Sequence, residues 1–112
     1  AGHLIELDEI TSIASTLGAS TTSSEIFSTL SRQVDYFHQV TDAATVNVIE
    51  QFLDQEKMLL EPSSAACVAS FLKATKENPD LFKNSSRPVN TVLIICGSNA
   101  TMNDLKEWKE SV

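Results

Sequence analysis

Apolar positions along the chain recur in blocks whose spacing changes from one segment to the next. His3 to Leu7 (HLIEL) reads as a short strand. Asp8 then offers a side-chain oxygen to the free amides of a helix start. Ile10, Ile13, Ala14 and Leu17 follow at i, i+3, i+4 and i+7, one face of that helix, and Gly18 is positioned to end it in the left-handed conformation. Ala19 to Ser23 reads as a loop, and Ser24 begins a second helix carrying Ile26, Phe27 and Leu30. Tyr36 to Val40 (YFHQV) is a second strand. Thr41 or Asp42 caps a long helix with Val46, Ile49, Phe52 and Leu53 on its buried face and Glu50, Asp54, Gln55 and Glu56 toward water.

Met58 to Leu60 is short and apolar and returns the chain to a sheet. Pro62 with Ser63 and Ser64 opens a helix of small and apolar residues (Ala65, Ala66, Val68, Ala69, Phe71, Leu72), so that its start is expected to be buried. Glu77 to Asp80 breaks it, and residues 82–89 form the most loop-like stretch. Thr91 to Cys96 (TVLIIC) is apolar at nearly every position, the pattern of a parallel strand covered on both faces. Gly97-Ser98-Asn99 turns sharply. Thr101 caps a last helix with Asp104 three residues on, and Leu105, Trp108 and Val112 form its stripe.

The resulting order, β-α-α-β-α-β-α-β-α, predicts an α/β fold: part of an open, mainly parallel sheet with flanking helices. A strand apolar on both faces needs more neighbours than this chain supplies, so the unit is expected to be incomplete as a domain or docked on another polypeptide.

Composition adjusts this picture in a few places. A length of 112 residues allows one modest core and not two domains. Eight basic residues against fifteen acidic ones leave a net charge of −7. The basic residues are scattered without interleaved stacking aromatics, which argues against nucleic acid and against an anionic membrane surface. Unbroken apolar runs stop at five residues, so no segment can span a bilayer. Cys67 and Cys96 read as buried, reduced thiols of a cytoplasmic protein, with a single bridge between them as the alternative. No targeting segment precedes the first element, and the start at Ala1 without Met suggests a processed chain or a piece of a longer one. The triplets Asn84-Ser85-Ser86 and Asn99-Ala100-Thr101 match a glycosylation pattern by chance in such a setting.

Two segments could carry chemistry. Cys96 closes the strand 91–96, and in open α/β sheets ligands lie beyond the carboxyl ends of strands. Gly97 lets the backbone approach a ligand closely, and the thiol could meet a ring atom of a cofactor. The plainer reading, which spacing alone favours, makes Cys96 a small apolar residue finishing a buried strand. Glu61 to Ala66 (EPSSAA) places a carboxylate and two hydroxyls before a helix start whose free amides suit a polar ligand edge. Here the plainer reading is a simple N-cap with Glu61 in water. His38 has no His or Cys partner at metal-ligand spacing. The chain has no Walker loop, no G-x-G-x-x-G and no G-x-S-x-G.

Taken together and in order, Ile10 to Ala14 (ITSIA), Leu17-Gly18-Ala19, Val46 to Glu56 (VNVIEQFLDQE), Lys57 to Pro62 (KMLLEP) and Ile94 to Asn99 (IICGSN) resemble the C-terminal third of the pyridoxal-phosphate-dependent L-serine/L-threonine dehydratases. The resemblance implies a C-terminal segment, spanning residues 1–112, of a fold type II pyridoxal-phosphate enzyme, usually a homodimer, that converts serine or threonine to a 2-oxo acid and ammonia. It implies that Cys96 and Gly97 meet the cofactor ring, that Glu61, Ser63 and Ser64 line its pocket, and that the carbonyls of Leu17 and Ala19 help hold a monovalent cation, commonly potassium.

Two departures from the family pattern stand out. One glycine, Gly97, separates Cys96 from Ser98 where the family often has two, and Ala65 replaces a common glycine. Both remove backbone freedom beside the cofactor. The family's Schiff-base lysine, substrate loop and phosphate loop lie N-terminal to this region, and none of Lys57, Lys73, Lys76, Lys83, Lys106 and Lys109 lies in a comparable motif. The chain alone is therefore expected to be inactive and to need the missing N-terminal portion. The alternative is a non-catalytic truncated relative, an interaction module or inactive remnant.

Overall fold

The computed structural model describes residues 2–83 and 87–112, and it overturns the expected sheet. Four α-helices, α1 (Ser24–Gln33), α2 (Asp42–Glu56), α3 (Pro62–Glu77) and α4 (Met102–Ser111), and two short 3-10 turns (Ser15–Leu17 and Pro79–Phe82) make up the regular structure. No strand occurs among the described residues. Residues 3–7, 36–40, 58–60 and 91–96, each read above as a strand or a return to the sheet, are irregular backbone. The reason is that side-chain pattern specifies a face, whereas a strand requires a ladder partner. Residues 91–96 make no backbone hydrogen bond to another described residue. Val92 is 81% and Ile94 67% exposed, where the reading had both faces covered.

The expected helix at 8–17 is also corrected. Only Ser15–Leu17 turns, as 3-10. Ala14 is buried and Ile13 packs against the core, but Ile10 and Leu17 are exposed, so only half of the expected face found a surface to bury against and the propagation energy of a short helix did not suffice. Gly18 is extended (φ −75°) rather than left-handed. Asp42 explains the local path: its carboxylate accepts the Ser12 hydroxyl at 2.7 Å and the Ile13 amide at 3.1 Å. That pair of bonds holds the N-terminal arm against the start of α2 in place of a helix.

The helices that do form carry their own start signals. Thr41 caps α2 through a bond from the Ala44 amide, Ser23 caps α1, and Thr101 with Asp104 forms a reciprocal capping box on α4. α2 ends at Lys57, whose left-handed backbone (φ 58°) turns the chain toward Met58 to Leu60. The core lies between α2, α3 and one face of α4: Val46, Val48, Ile49, Leu60, Ala65, Val68, Ala69 and Leu105, with Phe52, Leu53 and Trp108 at its margin. The expected burial of the α3 start is borne out, since Pro62, Ser63, Ser64 and Ala65 are all buried. α1 has no buried residue.

The molecule is a slab of 42 × 40 × 21 Å with a radius of gyration of 15.8 Å, against about 13 Å for a compact domain of this length. A single small core therefore sits beside broad apolar surface. No helix among the described residues is long and apolar enough to cross a membrane. The triplet Asn84-Ser85-Ser86 lies outside the described residues.

Leu60 has no exposed surface and sits at the centre of this core. Leu60→Ala is expected to lower stability by about 2–5 kcal/mol, read as a fall in the urea midpoint at unchanged slope. A shift below about 0.5 kcal/mol, the level of an ordinary surface substitution, would mean that the α2–α3 contact does not hold the chain together.

Candidate functional site

Ser64, in the first turn of α3, organises the site. Its hydroxyl donates to the Gly97 carbonyl at 2.7 Å and accepts from the Gly97 amide at 2.8 Å. Both backbone groups of Gly97 are thus satisfied by one buried side chain. The Glu61 amide also approaches the Gly97 carbonyl at 3.5 Å, and Ser98 donates to the Leu59 carbonyl at 2.5 Å. Residues 97–98 are thereby sewn to the 59–64 corner. Glu61 occupies the N-cap position of α3 without capping it. Its carboxylate instead accepts the Ser63 hydroxyl at 2.7 Å and packs over Gly97, where a Cβ would lie 2.8 Å from the Glu61 Cδ. A Cβ at 97 would displace the Glu61 carboxylate from this position, and the backbone there has no unusual φ.

Cys96 is carried to this corner. Its Sγ lies 3.4 Å from Ser64 Oγ and 3.8 Å from Ser63 Oγ. It is exposed, and Cys67 is half-buried; both are free thiols. This corrects the expectation of two buried thiols: the covering faces that would have enclosed residues 91–96 are missing. The hydrogen-bonding contacts with Ser64 first, then Ser63, hold the Cys96 thiol pKa below its ordinary value, while burial and, more weakly, the Glu61 charge work the other way. The geometry shows how. Ser64 has one proton and two acceptors in reach, the Gly97 carbonyl and Cys96 Sγ. Beside a neutral thiol the shorter bond to the carbonyl takes that proton. A thiolate draws it to sulfur.

Along one side of this corner runs an open cleft of about 550 Å³. Cys96 and Ser63 line it, and so do Leu17 and Ala19 of the N-terminal arm. Glu61, Ser64 and Gly97 stand behind it, bonded to its wall as described above. The cleft also gathers residues that the sequence reading did not assign to a site: Ser12, His38, Asp42, Cys67 and Ser70. For Ser63, Ala66, Cys67 and Ser70 a signal existed, since they recur at i, i+3, i+4 and i+7 as a stripe of small residues on α3. Ser12, His38 and Asp42 had none, because the fold alone brings them to the cleft. The walls are otherwise apolar, with Ile94, Val40, Leu7 and Ala14. Among the described residues no group of three His, Cys, Asp or Glu side chains could hold a metal ion.

Comparison with known proteins places this arrangement in context. No family model matches the chain. It is 32% identical over 114 aligned residues to human L-serine dehydratase/L-threonine deaminase, covering the whole chain and 35% of that protein. It is 34% identical over 104 residues to the human protein named serine dehydratase-like, covering 88% of the chain and 30% of that protein. A more distant relative is the biosynthetic L-threonine dehydratase IlvA of Bacillus subtilis, 26% identical over 110 residues. The chain is thus homologous, from end to end, to part of the serine/threonine dehydratases, and it spans about a third of the length of the first two.

Removing the Ser64 hydroxyl should expose its effect on the thiol. In a Cys67→Ala background, Ser64→Ala is expected to raise the Cys96 thiol pKa toward the ordinary thiol value. At fixed pH the thiolate fraction falls, and alkylation by iodoacetamide slows. A rate-against-pH curve with an unmoved midpoint would show that Ser64 does not act on the sulfur.

Proposed function

We propose that this chain, homologous to one third of the serine/threonine dehydratases, is the C-terminal segment of such an enzyme, residues 1–112 forming one wall of its pyridoxal-phosphate site. The observation that carries this reading is the corner at Cys96. A weakly acidic thiol, kept in place through Gly97 by a buried serine, stands at the mouth of a cleft with apolar walls. That donor set fits a flat heteroaromatic ring: the apolar walls suit its faces, and the thiol suits a basic ring nitrogen. Pyridoxal phosphate, when bound, supplies the electron sink for eliminating water from serine or threonine.

The residues of this chain bind and orient. With the cofactor bound, Cys96 would offer its Sγ proton to the ring nitrogen. Ser63 and Ser64 fix the sulfur's position, and Glu61 packs over Gly97 so that the 96–97 backbone stays close to the α3 start. The carbonyls of Leu17 and Ala19, which also line the cleft, would help hold a monovalent cation such as potassium. Completion requires the N-terminal portion, because among the described residues no lysine lines the cleft to hold the cofactor. The completed enzyme would be a cytoplasmic homodimer. The second reading is a non-catalytic relative, an interaction module or remnant. The absence of a lining lysine is equally compatible with it.

The two readings separate in one experiment. The chain is combined with the N-terminal portion of a dehydratase, pyridoxal phosphate and serine, and both cofactor absorbance and 2-oxo acid release are followed. The first reading expects both signals, and expects Cys96→Ala to reduce turnover more than it reduces assembly or thermal stability. Assembly without cofactor binding or product would favour the second. Equal loss of turnover and stability in the Cys96 variant would reduce the thiol to a packing element.

A further inference from the structure

Cys96 is not the only thiol on the cleft. Cys67 lines the same space, and the helix geometry brings the two close. Cys96 Sγ lies 3.8 Å from Ser63 Oγ. Cys67 follows Ser63 by four residues on α3, so its Cβ lies one turn along the same face, about 5–6 Å from that of Ser63. Ile94, two residues before Cys96, also lines the cleft. The 94–96 segment therefore runs along the α3 stripe that presents Cys67. A disulfide needs the two Cβ atoms about 3.5–4.5 Å apart. The adjustment falls on residues 91–96, whose backbone makes no backbone hydrogen bond to another described residue.

We propose that Cys67 and Cys96 form an oxidisable dithiol site, closing a reversible intramolecular disulfide by exchange with a low-molecular-weight disulfide. The Cys96 thiolate attacks one sulfur of the small disulfide, forming a mixed disulfide and releasing one thiolate. The Cys67 thiolate then attacks Cys96 Sγ, forming the Cys67–Cys96 bond and releasing the second thiolate. Two protein thiols are oxidised, the small disulfide is reduced to two thiols, and the two cysteine protons pass to those leaving groups. The entry point is set by exposure: Cys96 is open to solvent and Cys67 is half-buried. The serine bonds that favour the Cys96 thiolate assist the first step. The site requires only the two thiols and the cleft, so it stands independently of the function proposed above.

The test is incubation of the 112-residue chain with oxidised glutathione, followed by intact mass and peptide mapping. The expected product has lost two hydrogens, carries no glutathione, and yields one peptide joining Cys67 to Cys96. Cys67→Ser and Cys67→Ala should both stop at a stable glutathione adduct on Cys96. Conversion of adduct to cross-link should run about tenfold or more faster in the folded chain than in urea, since folding raises the local thiol concentration. A wild-type chain that stops at glutathione adducts, that links only to a second copy, or that closes equally fast in urea would overturn the proposal.

Discussion

One buried hydroxyl decides where the chemistry of this chain can be. Ser64 satisfies the amide and the carbonyl of Gly97 at once, two backbone groups that would otherwise face the α3 start unpaired. Leaving such a group unmade in a buried setting costs roughly 1–3 kcal/mol. The preceding residues, 91–96, have no ladder of their own, so this tie is what brings the exposed Cys96 within reach of Ser63 and Ser64. The cleft's polar end, the thiol's environment and the close packing of Glu61 over Gly97 all follow from it.

The helices were legible because their determinants are local. Thr41, Thr101 and Asp104 bond to amides within four residues, and the same residues that mark a helix start in sequence do so in space; Ser23, read as the end of a loop, caps α1 in the same way. The strands were misread because their determinant is not local. TVLIIC has the composition of a doubly covered strand, but nothing in those six positions supplies the neighbour that would pair with them, and in this chain they remain irregular and open. The 8–17 helix failed for a related reason. Its apolar face was correctly spaced, yet Asp42, some thirty residues on, captures Ser12 and Ile13 and fixes a different path. A side chain read as a possible cap of its own helix serves instead as an anchor for an earlier segment.

The candidate site was half legible. Cys96, Gly97 and the Glu61–Ala66 segment could be singled out from a strand end and a helix start. That they meet could not, because their contact spans more than thirty residues and depends on Ser64, which in sequence looks like an ordinary cap. The N-cap position in fact belongs to Glu61, whose carboxylate turns away to Ser63. Leu17 and Ala19 reach the cleft although the helix expected to carry Leu17 does not form. His38 and Asp42 arrive there only through the packing of the N-terminal arm and the 36–40 segment against α2 and α3.

The geometry also links the thiol to the fold itself. Ser64 cannot give its proton to both the Gly97 carbonyl and Cys96 Sγ. Ionisation at sulfur therefore weakens one of the two bonds that hold residues 97–98 to α3, while the bond from the Gly97 amide survives. Coupling of this kind is reciprocal: whatever loosens the 97–98 tie frees the Ser64 proton for sulfur and favours the thiolate, and whatever tightens it favours the thiol. The ligation of a basic atom by the Cys96 proton and the docking of the segment that carries it are then mutually supporting, because a protonated sulfur leaves Ser64 committed to the backbone. The same residue that places the thiol thus sets the form in which it is presented to the cleft.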